Sequence, residues 1–407
     1  MSWIMADYTR LAGGVLESGK IPRKELDIYH HGRHNRSHEA IRLSFCHLCN
    51  ITNEHILKEH GIIAYGMSEY CGCDSFIATC ENGDYPNLKY IPGVRIEFIP
   101  KKNIFRSNKL NFIIASCLWL MKNARRIDVL SLMHPVLGSF FRAFTYKLFN
   151  PGGKVYVKFD GAYPKHGRGS LWKRPFYNWL MKHADCASTE LEGNDEIMSR
   201  EWGRRVLWIP NPAVPHELED FRPFSERSNT ILTVGRLGTR QKATEILLEA
   251  FALISDKIPG WTLKLAGRIE ENMSIASDFY AKYPGLHERV VFTGEIRDRA
   301  QLLNEYREAK VFAFPSRWES FGIALTEAMM QGDFAVVSRI PASEYLTNGY
   351  RFALSSNVDD VDGLAENLLH ACTHEDETER LALEGMNTVR SRLDLKRACE
   401  AIEREMN

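Results

Sequence analysis

Short apolar runs alternate with longer stretches of helical periodicity along most of this chain. After a polar leader at residues 1–39, the apolar runs predict strands throughout the first half. They lie at residues 41–46, 75–80, 94–99, 127–133, 155–159 and 206–209. Helical stretches fall between them, near residues 61–71, 109–123, 138–148, 171–183 and 192–202. Strands that alternate with helices are typical of a parallel sheet with helices on both faces.

The alternation restarts after a segment rich in proline and charge at residues 211–228. Strands are then predicted at residues 230–234, 262–266, 290–293, 311–314 and 334–338. Helices are predicted near residues 242–255, 298–307, 322–331 and 361–373. The charged stretch that follows is helical in pattern to its end.

These elements predict an α/β fold with two Rossmann-like, doubly wound parallel-sheet domains that face a cleft. The first domain is expected at residues 40–210 and the second at 229–375, joined by a linker at 211–228. Residues 1–39 form an N-terminal extension. The helices at 376–407 are expected to pack back on the first domain.

Length and charge agree with this organisation. A chain of 407 residues is too long for one core of ordinary size. Basic and acidic side chains balance at 52 each, so no positive field favours nucleic acid as a partner. The N-terminus lacks the pattern of a signal peptide, and no apolar stretch reaches membrane-spanning length. We therefore expect a cytoplasmic protein.

Two glutamates mark the most informative passage, which reads FPSRWESFGIALTEAMMQG. Glu319 precedes a predicted helix and Glu327 lies inside it. Eight residues of helix rise roughly 12 Å, which separates the two carboxylates by about that distance. Between them the N–H groups of Phe321, Gly322 and Ile323 have no partner within the helix, and such groups bind phosphate. Carboxylates accept hydrogen bonds from hydroxyls. The spacing therefore predicts a sugar–diphosphate–ribose ligand.

A second group of residues suits the diphosphate of such a ligand. Gly235 follows a predicted strand, and Arg236 and Lys242 lie at the start of the next helix. Two cations beside a helix start stabilise a diphosphate leaving group and could replace a metal ion. Arg240 lies between them and is an alternative for the same role.

Other strand ends carry weaker candidates. A glycine follows each of the strands at residues 262–266 and 290–293. Two explanations are open: the glycines let the backbone approach a nucleobase beside Ile296, or they form plain turns. In the first domain, His134 and Asp160 each follow a strand. A histidine there can orient a sugar hydroxyl or stabilise developing charge, although a lone histidine is more often structural.

The chain has nine cysteines, an odd number, and they are expected to be reduced and buried. Cys46, Cys49, Cys71 and Cys73 would form a zinc site only if all four thiols converge. The alternative, which their spacing favours, is that these thiols have no metal.

Residues 230–375 resemble the family 4 retaining glycosyltransferases of the GT-B fold. The resemblance rests on Gly235, Arg236 and Lys242, on the two-glutamate passage, and on Asn211 in the sequence IPNPAV, which is similar to the family's interdomain hinge. The first half is less similar: many relatives have a Gly-Gly loop where this chain has the single Gly61.

The resemblance implies a role for each matching residue. Arg236 and Lys242 would hold the donor diphosphate, which the backbone of residues 321–323 would help to bind. Glu319 would contact the donor sugar and Glu327 the ribose. His134 is similar in position to the family's active-site histidine near the transferred sugar.

The implied activity is retaining transfer of a sugar from a nucleotide-diphosphate sugar to a hydroxyl of a glycan or lipid-linked acceptor. No metal or other cofactor is expected. Either a peripheral membrane contact or an ordinary amphipathic face is predicted by the basic, aromatic helix at 141–149, together with Trp172, Lys173, Arg174, Trp179 and Lys182. The alternatives are a nucleotide-sugar epimerase, a glycan phosphorylase and a non-catalytic nucleotide-sugar-binding subunit.

Overall fold

The computed structural model describes most of the chain, namely residues 43–101, 104–160, 173–212, 221–272 and 274–407. The predicted extension at 1–39 lies outside the described residues, as do residues 213–220 of the predicted linker and Trp172.

The first domain is built on a seven-stranded parallel sheet. Its strands are β1 (Ser44–Leu48), β2 (Asp74–Thr79), β3 (Arg95–Phe98), β4 (Val129–Met133), β5 (Lys154–Phe159), β6 (Cys186–Thr189) and β7 (Leu207–Trp208). Their spatial order is β3-β2-β1-β4-β5-β6-β7. The connections run in opposite directions on either side of the β1–β4 boundary, and ligands of doubly wound sheets bind at such a point.

Helices cover both faces of this sheet. They are α1 (Glu59–Cys71), α2 (Asn108–Asn123), α3 (Leu137–Phe149), α4 (Arg174–His183) and α5 (Asn194–Trp202). Alternate residues of β1 show the two layers. Cys46 and Leu48 pack with the α2 and α3 side chains, whereas Phe45 packs with those of α1.

The second domain has a six-stranded parallel sheet in the order β10-β9-β8-β11-β12-β13. Its strands are β8 (Thr230–Val234), β9 (Thr262–Ala266), β10 (Val290–Gly294), β11 (Val311–Phe314), β12 (Phe334–Ser338) and β13 (Ala353–Ser356). Its helices are α6 (Thr244–Ile254), α7 (Ile275–Lys282), α8 (Arg299–Glu308), α9 (Ile323–Gln331), α10 (Pro341–Leu346) and α11 (Val361–Thr373). Here the connections change direction between β8 and β11.

Two further helices, α12 (Glu375–Arg392) and α13 (Leu395–Met406), belong to different domains. Val389 of α12 is buried among side chains of the second domain. Ile402 of α13 is buried against the first domain with α1 and β1. The approach is close at Gly66 of α1, where an added Cβ would lie 2.4 Å from the Cys399 Sγ. The chain therefore returns to the first domain at its last helix.

The segment after the undescribed residues 213–220 is anchored to the second domain. The buried Arg227 Nη1 lies 3.0 Å from the Asp333 Oδ1 and donates to the Ala309 carbonyl. Residues 221–228 thus lie against the second sheet rather than spanning freely between domains. Among the described residues, no helix is both long enough and apolar enough to cross a bilayer.

The predicted fold of two doubly wound parallel-sheet domains is confirmed. The first strand begins later than predicted, at Ser44, and runs to Leu48, so that it includes the buried polar His47. Two short strands, β6 and β13, were not predicted, since half of their residues are serine or threonine. The helices α7 and α10 were also missed.

Candidate active site

The Glu319 carboxylate lies in the loop between β11 and α9 and is held by three donors. Its Oε1 accepts from the Lys242 Nζ at 2.6 Å and from the Ser316 Oγ at 2.8 Å. Its Oε2 accepts from the Gln241 Nε2 at 3.1 Å. The Glu319 side chain is 9 % exposed, so it is fixed in orientation yet reaches the surface of the domain.

Lys242 reaches this carboxylate by crossing the end of β8. A Cβ at Gly235 would lie 2.9 Å from the Lys242 Cε, so a side chain at Gly235 would displace the lysine. The helix α6 then begins after Ala243, whose φ of 49° lies in the left-handed region that favours glycine. The turn from strand to helix therefore aims the lysine at Glu319.

Arg236 belongs to the same network, but most of its side chain is exposed to solvent. Its Nη2 donates to the Gln241 Oε1 at 2.8 Å, and its side chain is 60 % exposed. Arg240, the alternative cation, is involved through its backbone: its N–H donates to Glu271 and its carbonyl accepts from Arg317. The contacts therefore place Arg236 and Lys242, rather than Arg240, in the network around Glu319.

The start of α9 offers open backbone amides. Gly322, the residue before the helix, has φ 92° and is packed so closely that a Cβ would lie 3.3 Å from Phe314 and from Leu346. No side chain in the described part of the chain caps this helix start. Phe321 is buried against Tyr345, whereas Ile323 is partly exposed. The predicted phosphate-binding amides are thus next to Glu319.

Glu327 lies on α9 with both oxygens engaged. Its Oε1 is 2.8 Å from the Arg299 Nη1, and its Oε2 accepts from the Tyr306 hydroxyl at 2.9 Å. Sequence reasoning missed both partners, although their spacing of seven residues places them on one face of α8. It also missed Gln241 and Ser316, which adjoin the predicted motifs.

A cleft between the domains is lined by part of the candidate site. Its lining includes Lys58, Glu59 and Asn211 on one side and Arg299, Phe321 and Glu327 on the other. Glu327 therefore lines this cleft, whereas Glu319, which precedes α9, is not among the residues that line it.

The glycines after β9 and β10 differ in how closely they are packed. A Cβ at Gly267, with φ 142°, would lie 1.8 Å from the Gly235 carbonyl oxygen, so this glycine lets two strand ends approach. Gly294 has φ 72° and open space around it. Ile296 packs beside the core cluster that includes Phe321. The nucleobase beside Ile296 stays a prediction.

Across the cleft, His134 follows β4 with a strained backbone. Its φ is 54°, and its N–H donates to the Lys158 carbonyl at 2.7 Å. Such strain in a non-glycine residue is common at functional sites. Asp160 follows β5, so both predicted residues lie at the carboxyl edge of the first sheet.

A network of buried polar groups lies around Asn211 in the first domain. The Asn211 Nδ2 donates to the Glu190 Oε2 at 2.6 Å, and Lys158 donates to the Ile209 carbonyl at 3.4 Å. Burial lowers the pKa of Lys158, and the Glu190 carboxylate opposes this shift. The sequence predicted Asn211 but neither Lys158, which lies within the apolar strand β5, nor Glu190, which directly follows β6.

Two histidines at the same edge were also missed. His47 is 2 % exposed; its Nδ1 lies 3.0 Å from the Ser131 Oγ and its Nε2 lies 3.0 Å from the His60 Nδ1. Burial lowers the pKa of His47 well below its ordinary value and that of His60 to about 4. The charges of His134 and Asp160 also affect the pKa of His60, which places these groups near one another.

The four cysteines of the zinc alternative do not converge. Cys46 lies in the core on one face of the first sheet and Cys73 in the core on the other. Burial raises the pKa of Cys71 and of Cys73, and the charge of Glu403 on α13 adds to both shifts.

Comparison with known proteins identifies the second domain. Residues 228–374 match the family described as "Glycosyl transferases group 1". The match falls on the second domain and covers less than half of the chain. The predicted resemblance to glycosyltransferases is thereby confirmed over this part of the chain.

Curated relatives resemble the chain over a similar length. Mannosylfructose-phosphate synthase of Agrobacterium fabrum is 30% identical over 175 residues, which cover 41% of this chain and 38% of the relative. The lipopolysaccharide core biosynthesis mannosyltransferase LpsB of Rhizobium meliloti is 28% identical over 160 residues, covering 35% and 45%. The matched part thus spans less than half of these relatives.

Solved structures resemble nearly the whole chain. A glycosyltransferase from Rickettsia africae ESF-5 has a TM-score of 0.71 at 12% identity and covers 90% of this chain and 98% of its own. Anabaena Alr3699/HepE, solved in complex with UDP and glucose, has a TM-score of 0.65 at 15% identity and covers 89% and 99%. At such identities the likeness concerns the fold, and the predicted GT-B fold is confirmed.

Proposed function

We propose that this chain transfers a glycosyl group from a nucleotide-diphosphate sugar to an acceptor hydroxyl, with retention of configuration at the anomeric carbon. The observation that supports this most is the Lys242–Glu319 pair beside the open start of α9. The glycosyltransferase segment at residues 228–374 and the two-domain fold also support it.

The donor diphosphate would lie against Arg236, Lys242 and the amides at the start of α9. Negative charge grows on this group as the bond from the anomeric carbon to the phosphate oxygen breaks. Fixed cations and amide dipoles stabilise that charge more in the transition state than in the ground state, which accelerates the reaction. No metal ion is required at this position in the proposal.

The two glutamates would orient the rest of the donor. Glu319 would accept hydrogen bonds from hydroxyls of the transferred sugar, and Glu327 from those of the ribose. Each carboxylate oxygen can accept two hydrogen bonds. The contacts to Arg299 and Tyr306 therefore leave capacity on Glu327 for a ribose hydroxyl.

In the proposed reaction the acceptor oxygen bonds to the anomeric carbon on the face from which the phosphate departs. The acceptor hydroxyl proton passes to the leaving phosphate oxygen, so no protein nucleophile is needed. His134, across the cleft, would orient a hydroxyl of the transferred sugar. Closure of the domains would exclude water and limit hydrolysis of the donor.

The acceptor is proposed to be a glycan or a lipid-linked glycan, reached from the cytoplasmic side of a membrane. The helices α2 and α3 carry exposed apolar side chains, which include Leu118 and Met121 on α2 and Phe144 and Leu148 on α3. Neither helix contains an acidic residue. Trp179, predicted for this contact, packs on Phe144 rather than standing free. A basic and apolar surface of this kind suits an anionic bilayer.

The catalytic proposal is tested by release of nucleoside diphosphate from a panel of UDP-, GDP- and ADP-sugars, with simple glycosides as acceptors. Glu319→Gln should reduce release by about 10²–10³-fold, the usual effect of losing one such polar contact. Arg240→Ala, the matched neighbour, should have little effect.

Three outcomes of that assay would contradict the proposal. Isomerised donor without transfer would indicate an epimerase. Tight donor binding without nucleotide release would indicate a binding subunit. A product of inverted anomeric configuration, measured by NMR, would refute the stereochemical part alone.

Sedimentation with anionic vesicles tests the membrane contact. A Phe144→Ser, Leu148→Ser double variant should bind vesicles more weakly than the parent chain. Leu253→Ser provides the control, because this leucine is exposed to a similar degree on α6 of the other domain. Equal binding of all three proteins would reject the α2–α3 surface as the contact.

A further inference from the structure

Three side chains of types that commonly bind metal ions lie together at the carboxyl edge of the first sheet. The ligand atoms of His47, Cys49 and His60 are all within 4.8 Å of one another. We propose that the His47 Nε2, the His60 Nδ1 and the Cys49 Sγ bind one divalent transition-metal ion, with Zn²⁺ as the prototype.

The distances suit such an ion. The two histidine nitrogens are 3.0 Å apart. Zn–N bonds of about 2.0–2.1 Å in a tetrahedral arrangement place two nitrogens roughly 3.3 Å apart, and the longer Zn–S bond of about 2.3 Å adds a few tenths of an ångström for a sulfur. Shifts of less than an ångström at the two rings would therefore complete the geometry between them.

The local sequence explains why these residues meet. Side chains two positions apart project from the same face of a strand, so His47 in β1 and Cys49 just after it lie on one side. His60 is in the first turn of α1. Gly61 allows the chain to turn tightly there, because an added Cβ would lie 2.0 Å from the Ile56 carbonyl oxygen.

Both rings also have the outer contacts that metal-bound histidines use. The His47 Nδ1 is 3.0 Å from the Ser131 Oγ, and the His60 Nε2 is 3.5 Å from the Glu59 Oε1. If each of these nitrogens carries the proton, the nitrogen that faces the partner ring is left with a lone pair. Such contacts fix the tautomer and orientation of a ligand.

Three protein ligands leave the fourth position of a tetrahedral ion to a water or to an oxygen of a bound molecule. His55 is a neighbour rather than a ligand: its ring lies 5.4 Å from that of His60, and its Nδ1 contacts the Thr52 hydroxyl at 2.9 Å. This ligand set differs from the four-cysteine alternative and shares only Cys49 with it.

Metal titration of the full chain tests the proposal. After treatment with a chelator, the protein should bind one equivalent of Zn²⁺ in competition with a chromogenic chelator. Co²⁺ should give the visible bands of a tetrahedral ion and a near-ultraviolet thiolate band. Cys49→Ser, which preserves the shape of the side chain, should abolish the thiolate band, and His60→Ala should abolish stoichiometric binding.

Two control variants define the site. His55→Ala and the double variant Cys71→Ser, Cys73→Ser should both bind one equivalent, as the parent chain does. Ser131→Ala should retain the stoichiometry with about 10–100-fold lower affinity, because it removes the outer partner of His47.

Because the readout is metal content, it is independent of glycosyl transfer. The absence of stoichiometric binding by the folded parent chain, verified by circular dichroism, would overturn the proposal. Binding that survives in both Cys49→Ser and His60→Ala with unchanged affinity would also overturn it, as would its loss in the Cys71, Cys73 double variant.

Discussion

The two sheet edges that face the cleft are built in different ways. At the edge of the second sheet, Arg236, Lys242 and Glu319 lie on short loops, keep some exposure, and are positioned by glycines at the strand ends. At the edge of the first sheet, Lys158 and His47 are almost fully buried within strands.

This difference separates residues that should matter for binding from residues that should matter for stability. Groups on the loops of the second domain can be exchanged at modest cost to folding, because water can solvate what remains. Buried polar groups of the first domain have no such alternative, and losing one partner leaves the other desolvated. Substitutions of Arg236, Lys242 and Glu319 should therefore lower activity, whereas those of Lys158 and His47 should lower stability.

The largest effect is expected for Lys158→Met, which removes a cation that is 1 % exposed and leaves Glu190 buried. We expect the free energy of unfolding to fall by about 3–5 kcal/mol, measured by urea denaturation. Lys154→Met on the same strand is the control, since Lys154 is only half-buried. Equal losses for the two variants would remove the proposed contrast between the domains.

Lys242→Met should next reduce kcat by about 10²–10³-fold, because one cation is lost beside the leaving group. Its melting temperature should stay near that of the parent chain. The Lys264–Glu305 pair has the same 2.6 Å separation within the same domain. Lys264→Met should leave kcat unchanged, and a comparable fall in that variant would show a general effect of charge.

Gly267→Ala tests whether glycine at a strand end is required. The new Cβ would meet the Gly235 carbonyl oxygen, and the backbone conformation is unfavourable for alanine. We expect a loss of about 1–3 kcal/mol in stability. Gly260→Ala, in open space, should change stability by less than about 0.5 kcal/mol. Similar melting curves for both variants would contradict this role.

The smallest effect is expected at the rim of the first sheet. Hydrogen bonding from the Arg126 guanidinium, and the charge of Arg95, hold the pKa of Glu97 below its ordinary value. A carboxyl group whose pKa is lowered in the folded state stabilises the fold at pH values above its ordinary pKa. This contribution is lost as the pH falls through the pKa of the folded state. The pairs are at the surface, so Glu97→Gln should cost at most about 1 kcal/mol at pH 7.

The contribution of the Glu97 carboxylate is measured by denaturing the Glu97→Gln variant and the parent chain at a series of pH values. The difference in stability between the two proteins should shrink as the pH falls below the ordinary pKa of glutamate, because the carboxylate of the parent then becomes protonated. A constant difference across the whole range would assign the effect to packing instead.

The same contrast explains what the sequence could predict. The second-domain site was predictable because Gly235, Lys242 and Glu319 belong to short contiguous motifs whose spacing has a local physical meaning. The fold was predictable because buried parallel strands are apolar and regularly spaced. The strands β6 and β13 were not, because serine and threonine interrupt the apolar signal.

The first-domain residues could not be found in this way. His47 and His60 are separated by a turn and a helix start, and only the packed structure brings them to 3.0 Å. Lys158 lies in a strand pattern that hides a charge, since its partners come from later strands. Long-range pairing of buried polar groups leaves no periodic trace in a single sequence.

The position of α13 has a practical consequence for protein engineering. A shortened version ending at Thr373 would lack Leu395, Cys399 and Ile402, which pack against α1. The apolar surface of α1 would then be exposed, and we expect such a version to aggregate. A version meant to contain the second domain alone should keep Phe224 and Arg227, which are buried in it, and should extend through α12.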